Sequence, residues 1–189
     1  MSYDIFCYRS KSGIPDEDEA HSMIEIDNDK YATVEDRSET KLAILKALVN
    51  YNPDLIAYDH DFGDISKLSV DILQKEKNKF REIEINPREG EIAIRMTIYG
   101  NHVYINFPYW YKGDDAVKLF EQIKSYIKLI RETSGFFVFD PQTGKTFDPA
   151  ENNFDGLDKY LSMMVFIDEL IRPDITKDNK SKKPWWKIW

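Results

Sequence analysis

The sequence is poor in the residues that carry much catalytic and redox chemistry, and it has no long apolar run. One cysteine, Cys7, and three histidines occur among its 189 residues. A single cysteine excludes an internal disulfide and suits a reducing cytoplasm. The apolar runs are too short for a transmembrane helix, and the first residues lack the basic and apolar segments of a secretory signal. We therefore expect a cytoplasmic protein.

Acidic residues outnumber basic ones and give the chain a net charge of −8. This charge disfavours non-specific binding to nucleic acid and favours a basic protein partner. With 42% hydrophobic and 14% aromatic residues, the chain has enough apolar side chains for one folded core. We expect a single domain over residues 1–173, followed by a flexible tail rich in lysine and tryptophan at residues 174–189.

A long hairpin is predicted at the centre of the chain. Residues 92–99 and 102–107 alternate between apolar and polar side chains, which is typical of half-buried strands. Gly100 and Asn101 form a two-residue turn between them. The register then pairs Tyr99 with His102, Thr97 with Tyr104 and Arg95 with Asn106 on a polar face, and Ile98 with Val103, Met96 with Ile105 and Ile94 with Phe107 on an apolar face.

The other elements follow from periodicity and capping residues. Further strands are predicted at residues 3–9, 55–58, 81–85, 136–139 and 145–147, and helices after Pro15, from Asp36 to Asn52, from Asp64, and at residues 114–133 and 155–171. Asp36 and Glu39 are predicted to form a capping box, and Ile72 and Val117 are expected to face inward. The fold class is therefore α+β, a mostly antiparallel sheet with helices packed on one face. The last two helices are expected to cover the apolar face of the hairpin.

Five short segments carry a resemblance to known proteins. They are Ser2-Tyr3-Asp4-Ile5, Glu84-Ile85-Asn86-Pro87, Phe107-Pro108-Tyr109-Trp110-Tyr111, Phe139-Asp140-Pro141-Gln142-Thr143-Gly144-Lys145 and Phe147-Asp148-Pro149. In this order they resemble an uncharacterised group of small bacterial cytoplasmic proteins, some of which resemble immunity proteins encoded beside secreted toxins. The resemblance implies a toxin as the partner. It brings no catalytic residues.

The polar face of the hairpin is the candidate binding surface. It carries Arg95, Tyr99, His102, Tyr104 and Asn106, residue types that combine contact area with directional hydrogen bonds. Tyr109 and Trp110 follow at its edge. Two alternatives stay open, since the face also suits an ordinary solvated sheet surface, and the aromatic segment also suits a plug beneath the helix at residues 114–133.

A second candidate site is the loop Asp59-His60-Asp61, whose oxygen and imidazole groups are typical metal ligands. Its spacing does not match a calcium-binding EF-hand loop. Asp64 is explained as a helix cap, and Asp59 and Asp61 as turn residues. We favour the structural interpretation and expect no cofactor. A metal-dependent hydrolase centred on this loop remains an alternative.

The tail at residues 174–189 interleaves lysines with three tryptophans. A peptide of this kind dips into an anionic membrane or docks in an acidic groove, and the tryptophans also suit folding back onto the domain. A peripheral membrane or scaffold protein is thus a third hypothesis. The leading one is a non-enzymatic immunity protein that neutralises a cognate toxin by direct binding, with the acidic body attracting a basic partner.

Overall fold

An antiparallel sheet lies at the centre of the computed structural model, which describes residues 2–25, 33–151, 154 and 156–171. Its strands are β1 (Ser2–Tyr8), β2 (Leu55–Asp59), β3 (Gly63–Asp64), β4 (Ile83–Pro87), β5 (Arg95–Ile98), β6 (His102–Pro108), β7 (Phe137–Asp140) and β8 (Lys145–Phe147). They are ordered β3-β2-β4-β5-β6-β1-β7-β8, and every pairing between them is antiparallel. The predicted α+β class is confirmed.

Five α-helices occur in the described part of the chain: α1 (Glu17–Glu25), α2 (Val34–Tyr51), α3 (Val70–Glu76), α4 (Asp114–Ser134) and α5 (Gly156–Ile171). None of them is both long and apolar enough to cross a membrane. Residues 174–189, the predicted tail, lie outside the described residues. The division of the chain at residue 173 therefore stays a prediction.

The register predicted for the hairpin is confirmed over the whole of β5. Arg95 pairs with Asn106 and Ile98 with Val103, with the two pairs between them in step. The strand starts later than expected, because the Ile94 amide donates to the Ile92 carbonyl at 2.8 Å in a tight turn.

The turn glycine of the hairpin has a steric role. Gly100 is not among the glycines with positive φ. A Cβ atom at this position would lie 2.7 Å from Cδ of Arg37 on α2, so the bare glycine lets α2 approach the turn. The need for glycine here comes from packing.

The inner face of the sheet, which carries Ile105 and Met96, packs against the main helix layer. These two side chains are at most 1% exposed, and they share one core cluster with residues of α2, α4 and α5. The Phe107 ring lies 5.5 Å from Phe120 of α4 and 5.8 Å from Tyr160 of α5. The predicted cover of the hairpin by the last two helices is therefore confirmed.

The outer face of the sheet is covered at one end by the short helix α1. Tyr8, Phe137 and Phe139 project from β1 and β7 and form a second apolar cluster with Ala20 and Met23 of α1. This small layer lies opposite the main helix layer, so the expectation that the helices pack on one face holds for the main layer and is wrong for α1. No helix of the described residues covers the other end of the outer face, on β2, β4, β5 and β6.

Two helices begin elsewhere than predicted, because a competing cap residue lies nearby. Thr33 caps α2 and forms the capping box with Asp36, where Asp36 and Glu39 were expected. Asp64 caps only a single 3₁₀ turn. Ser69 then caps α3 separately, which leaves Ile72 44% exposed.

The expected inward position of Val117 is also wrong, since this side chain is 47% exposed. Ala116 takes the buried position in the first turn of α4, and Leu119, Phe120 and Ile123 continue the buried stripe. The stripe thus begins one residue earlier than the predicted one.

Candidate functional site

The end of the outer face without a helix carries a continuous polar and aromatic surface, which we call the open face. Its strand residues are Ser2 and Asp4 on β1, Tyr58 on β2, Glu84 on β4, Arg95 and Thr97 on β5, and Tyr104 and Asn106 on β6. Trp110, which follows β6 and lies beside Arg95, completes it. The register aligns these side chains in rows: Tyr58 lies opposite Glu84, Glu84 opposite Thr97, and Thr97 opposite Tyr104. The predicted polar face of the hairpin is thus part of a wider surface.

Tyr104 is held in place by a carboxylate from the neighbouring strand. Its hydroxyl donates to Oδ1 of Asp4 on β1 at 2.7 Å, and the Ser2 hydroxyl donates to the same oxygen at 3.0 Å. The Asn106 side-chain amide donates to the Tyr104 oxygen at 3.4 Å. Burial, together with the nearby Asp4 charge, raises the pKa of Tyr104 above its usual value. The phenol therefore stays neutral and serves as a fixed donor.

Arg95 is the cation of the open face, and its side chain is exposed. The guanidinium makes no hydrogen bond or ion pair with any of the residues that the structure describes. It borders a concavity of about 320 Å³, which we call the Arg95 concavity. The concavity is lined by Ser2, Ala93, Arg95, Asn106, Phe107, Pro108 and Trp110.

The aromatic segment after β6 alternates between core and surface. Tyr109 and Tyr111 contact Tyr160 of α5, where a plug beneath the helix at residues 114–133 was one of the two alternatives, and the binding role of Trp110 stays a prediction. Trp110 is 66% exposed and lines the Arg95 concavity. The ring of Tyr109 stacks on Tyr160 of α5, with the centroids 5.1 Å apart. Burial raises the pKa of Tyr109 to about 12. Tyr111 packs against the core and accepts a hydrogen bond from the Ala93 amide at 2.8 Å.

Tyr99 and His102 lie apart from the Arg95 concavity, at the turn end of the hairpin. Their rings stack with centroids 4.3 Å apart, and His102 is only 5% exposed. The His102 Nδ1 lies 2.8 Å from the side-chain oxygen of Asn101, whose amide donates to the Met23 carbonyl on α1 at 2.9 Å. These contacts tie the turn to α1 and give His102 a structural position.

The Asp59 carboxylate, one of the candidate metal ligands, holds its own loop together. Asp59 is 2% exposed, and its Oδ1 accepts hydrogen bonds from the amides of Asp61 at 2.9 Å and Phe62 at 3.1 Å. The His60 side chain is 87% exposed and contacts only the Asp61 carboxylate within the described residues. No group of three or more potential ligands occurs in the described parts of the chain.

Two of the five segments that carry the family resemblance are joined by a hydrogen bond between side chains. The Tyr3 hydroxyl donates to Oδ2 of Asp140 at 2.6 Å, and Asp140 also accepts from two amides of the turn that follows it. Asp148 accepts two hydrogen bonds from Arg131 of α4, at 2.8 and 2.6 Å, which lower its pKa. These residues brace β1, β7 and α4, so their role is structural.

Sequence reasoning missed Ser2, Asp4 and Tyr58 as part of this surface. The alternation of β1 and β2 places all three on the outer face, which is a local signal. Their position beside the hairpin, however, depends on β1 pairing with β6 and β2 with β4. Those pairings do not follow from the pattern of either strand alone.

The chain was compared with known protein families, with curated proteins and with solved structures, and none of them matches it. The residue roles described above therefore come from the contacts of this chain itself.

Proposed function

We propose that this chain is a non-enzymatic cytoplasmic binding protein, and that the open face contacts a toxin and neutralises it by occluding its active site. The observation that supports this most is the pair Arg95 and Trp110. Both side chains are exposed at one concavity, and neither makes a hydrogen bond to a described residue. Among the described residues, neither side chain has a hydrogen-bonding role in the fold.

Their residue types favour a protein partner. Tryptophan, tyrosine and arginine dominate the side chains whose truncation weakens protein interfaces most, because they bury much area and form directed contacts. The open face combines Arg95 and Trp110 with Tyr104, which is already fixed by Asp4. Tyr58, which is 45% exposed, extends the surface across two further strands.

Two groups that an enzyme could use, Asp59 and Cys7, have structural positions, which supports binding over catalysis. Asp59 holds its own loop through two backbone amides. Cys7 is fully buried in the core, and burial raises the pKa of its thiol far above the usual range. A thiol in that environment is a poor nucleophile. The hydrolase alternative is therefore left with His60 and Asp61, which lie exposed on the surface of the loop.

The toxin as partner rests on two sequence features. The net charge of −8 favours encounter with a basic protein through long-range attraction. The segments that resemble proteins similar to immunity proteins point in the same direction. Both features concern the class of the partner and leave its identity open.

Co-expression with the product of a neighbouring gene tests the proposal. We expect that gene product to arrest growth alone, and growth to recover when this chain is present. The double variant Arg95→Ala and Trp110→Ala should fail to restore growth, whereas Tyr51→Ala should restore it. Tyr51 is a matched control, since it is a 55% exposed aromatic residue at the end of α2. Equal protection by the folded double variant would contradict the proposal.

A further inference from the structure

The side chains around the Arg95 concavity offer hydrogen-bond donors for which no described residue acts as acceptor. The guanidinium of Arg95 carries five N–H groups, and the Trp110 indole carries one. Neither residue has a hydrogen-bond partner among the described residues. Asn106 uses its amide nitrogen once, toward Tyr104, so it has one further N–H to donate. A ligand that fits this concavity must therefore supply acceptors.

The local charge of the concavity is opposite to that of the whole chain. Its lining contains one cation, Arg95, and no acidic residue. The nearest carboxylate of the neighbouring strand, Asp4, already accepts from Tyr104 and Ser2. A positive, donor-rich concavity on a protein with a net charge of −8 selects an anionic group locally.

The backbone that carries these donors is held by the core and the sheet, so that only the side chains remain to be ordered on binding. The Tyr160 hydroxyl donates to the Pro108 carbonyl at 2.7 Å and accepts from the Tyr111 amide at 3.1 Å. These two bonds fix the backbone of residues before and after Trp110. Arg95 and Asn106 are a cross-strand pair of the hairpin, so their backbone positions are set by the sheet.

We infer that the Arg95 concavity binds the carboxylate of an aspartate or glutamate side chain on the protein partner. This inference rests on the proposed function, because the partner supplies that side chain. Arginine and carboxylate match in shape, since two parallel N–H groups donate to the two oxygens. The indole of Trp110 or the amide of Asn106 supplies a third donor. A volume of about 320 Å³ admits one side chain of this size.

Two blocked tripeptides test the inference without the partner. The ¹⁵N-labelled full chain is titrated with acetyl-Gly-Glu-Gly-amide and with its uncharged analogue acetyl-Gly-Gln-Gly-amide. We expect the glutamate peptide to shift the indole N–H of Trp110 and the Nε–H of Arg95 saturably, and the glutamine peptide to bind at least tenfold more weakly. Those two resonances are assigned with Trp110→Phe and Arg95→Gln.

Matched variants show whether Arg95 carries the binding. Arg95→Gln should weaken binding of the glutamate peptide at least tenfold, read from the Trp110 indole. Arg88→Gln should leave it unchanged, because Arg88 is 60% exposed and pairs with Asp54 away from the concavity. Thermal melts confirm that both variants are folded. Equal binding of the two peptides, full binding by Arg95→Gln, or no saturable shift would overturn the inference.

The peptide titration and the growth experiment fail independently. Peptide binding without growth rescue would support the carboxylate site and contradict the proposed function. Growth rescue that depends on Arg95 and Trp110, without peptide binding, would support the function and overturn the carboxylate site.

Discussion

The outer face of the sheet consists of two unlike ends. At one end, Phe137 and Phe139 of β7 pack beneath Ala20 and Met23 of α1. At the other end, Glu84 and Arg95 occupy strand positions of the same face and are exposed. The strands alternate between inward and outward side chains at both ends. The outward side chains are apolar beneath α1 and polar where no described helix covers them. Residues at the covered end stabilise the fold, whereas the exposed side chains of the open face are those that we propose contact a partner.

Phe6 and Tyr104 mark the boundary between the two ends. Their rings lie 5.1 Å apart on adjacent strands. Phe6 belongs to the apolar cluster beneath α1, whereas the Tyr104 hydroxyl turns to Asp4. One cross-strand step thus separates core packing from a polar network, and substitutions on either side should differ sharply in their cost.

The largest effect is expected for Phe139→Ala at the covered end. Phe139 is 2% exposed, so its truncation should lower the free energy of unfolding by about 3–5 kcal/mol through lost contacts and a cavity. Tyr58→Ala, at the open end of the same cross-strand row, should cost below about 1 kcal/mol. Urea unfolding measures both. Similar urea midpoints for the two variants would show that the covered and open ends do not differ in their contribution to stability.

A second set of three variants compares the inner face of the hairpin, with the helix that covers it, and the outer face. Ile105→Ala on the inner face should cost about 2–5 kcal/mol, and so should Ile123→Ala on α4, because both side chains are fully buried in the main core. Thr97→Ala on the open face should change stability by about 0.5 kcal/mol or less. Urea midpoints again decide. Comparable midpoints for all three would show that the faces are assigned wrongly.

Acid should weaken the covered end through Asp148. Arg131 lowers the pKa of this carboxyl and also lies 4.3 Å above the Phe137 ring. A carboxyl whose pKa is lower in the folded state adds stability above its unfolded value of about 3.9, and this stability is lost as the pH falls through the lower folded value. Asp148→Asn should therefore be less stable than wild type at pH 7.

The same argument predicts that the loss becomes smaller below about pH 4, where Asp148 takes up a proton in the unfolded chain, and disappears once the pH lies below the lower pKa of folded Asp148. Urea midpoints between pH 7 and pH 2.5 measure this convergence. Asp115→Asn is a suitable control, since Asp115 lies on the surface in a 3.4 Å pair with Lys118. A constant difference between Asp148→Asn and wild type across this range would contradict the account.

Local patterns predicted the hairpin and its open face well, because alternation and a short turn fix a register without distant contacts. Arg95 and Asn106 were found in this way. The burial of His102 was not predictable, since it depends on Asn101 reaching Met23, 78 residues away. The Tyr104–Asp4 bond spans 100 residues and needs the β1–β6 pairing. The two misplaced helix starts have a local cause, as neighbouring residues compete to cap a helix.

The central claim is that the open face binds a partner, and the affinity of the purified partner tests it most directly. Calorimetric titration compares wild type with Arg95→Ala and Trp110→Ala, and with the controls Arg88→Ala and Tyr51→Ala. Truncating an arginine or tryptophan side chain that becomes buried in the complex should weaken binding by about 2 kcal/mol or more, roughly thirtyfold in Kd. The controls should bind like wild type. Unchanged affinity of both folded open-face variants would contradict the claim.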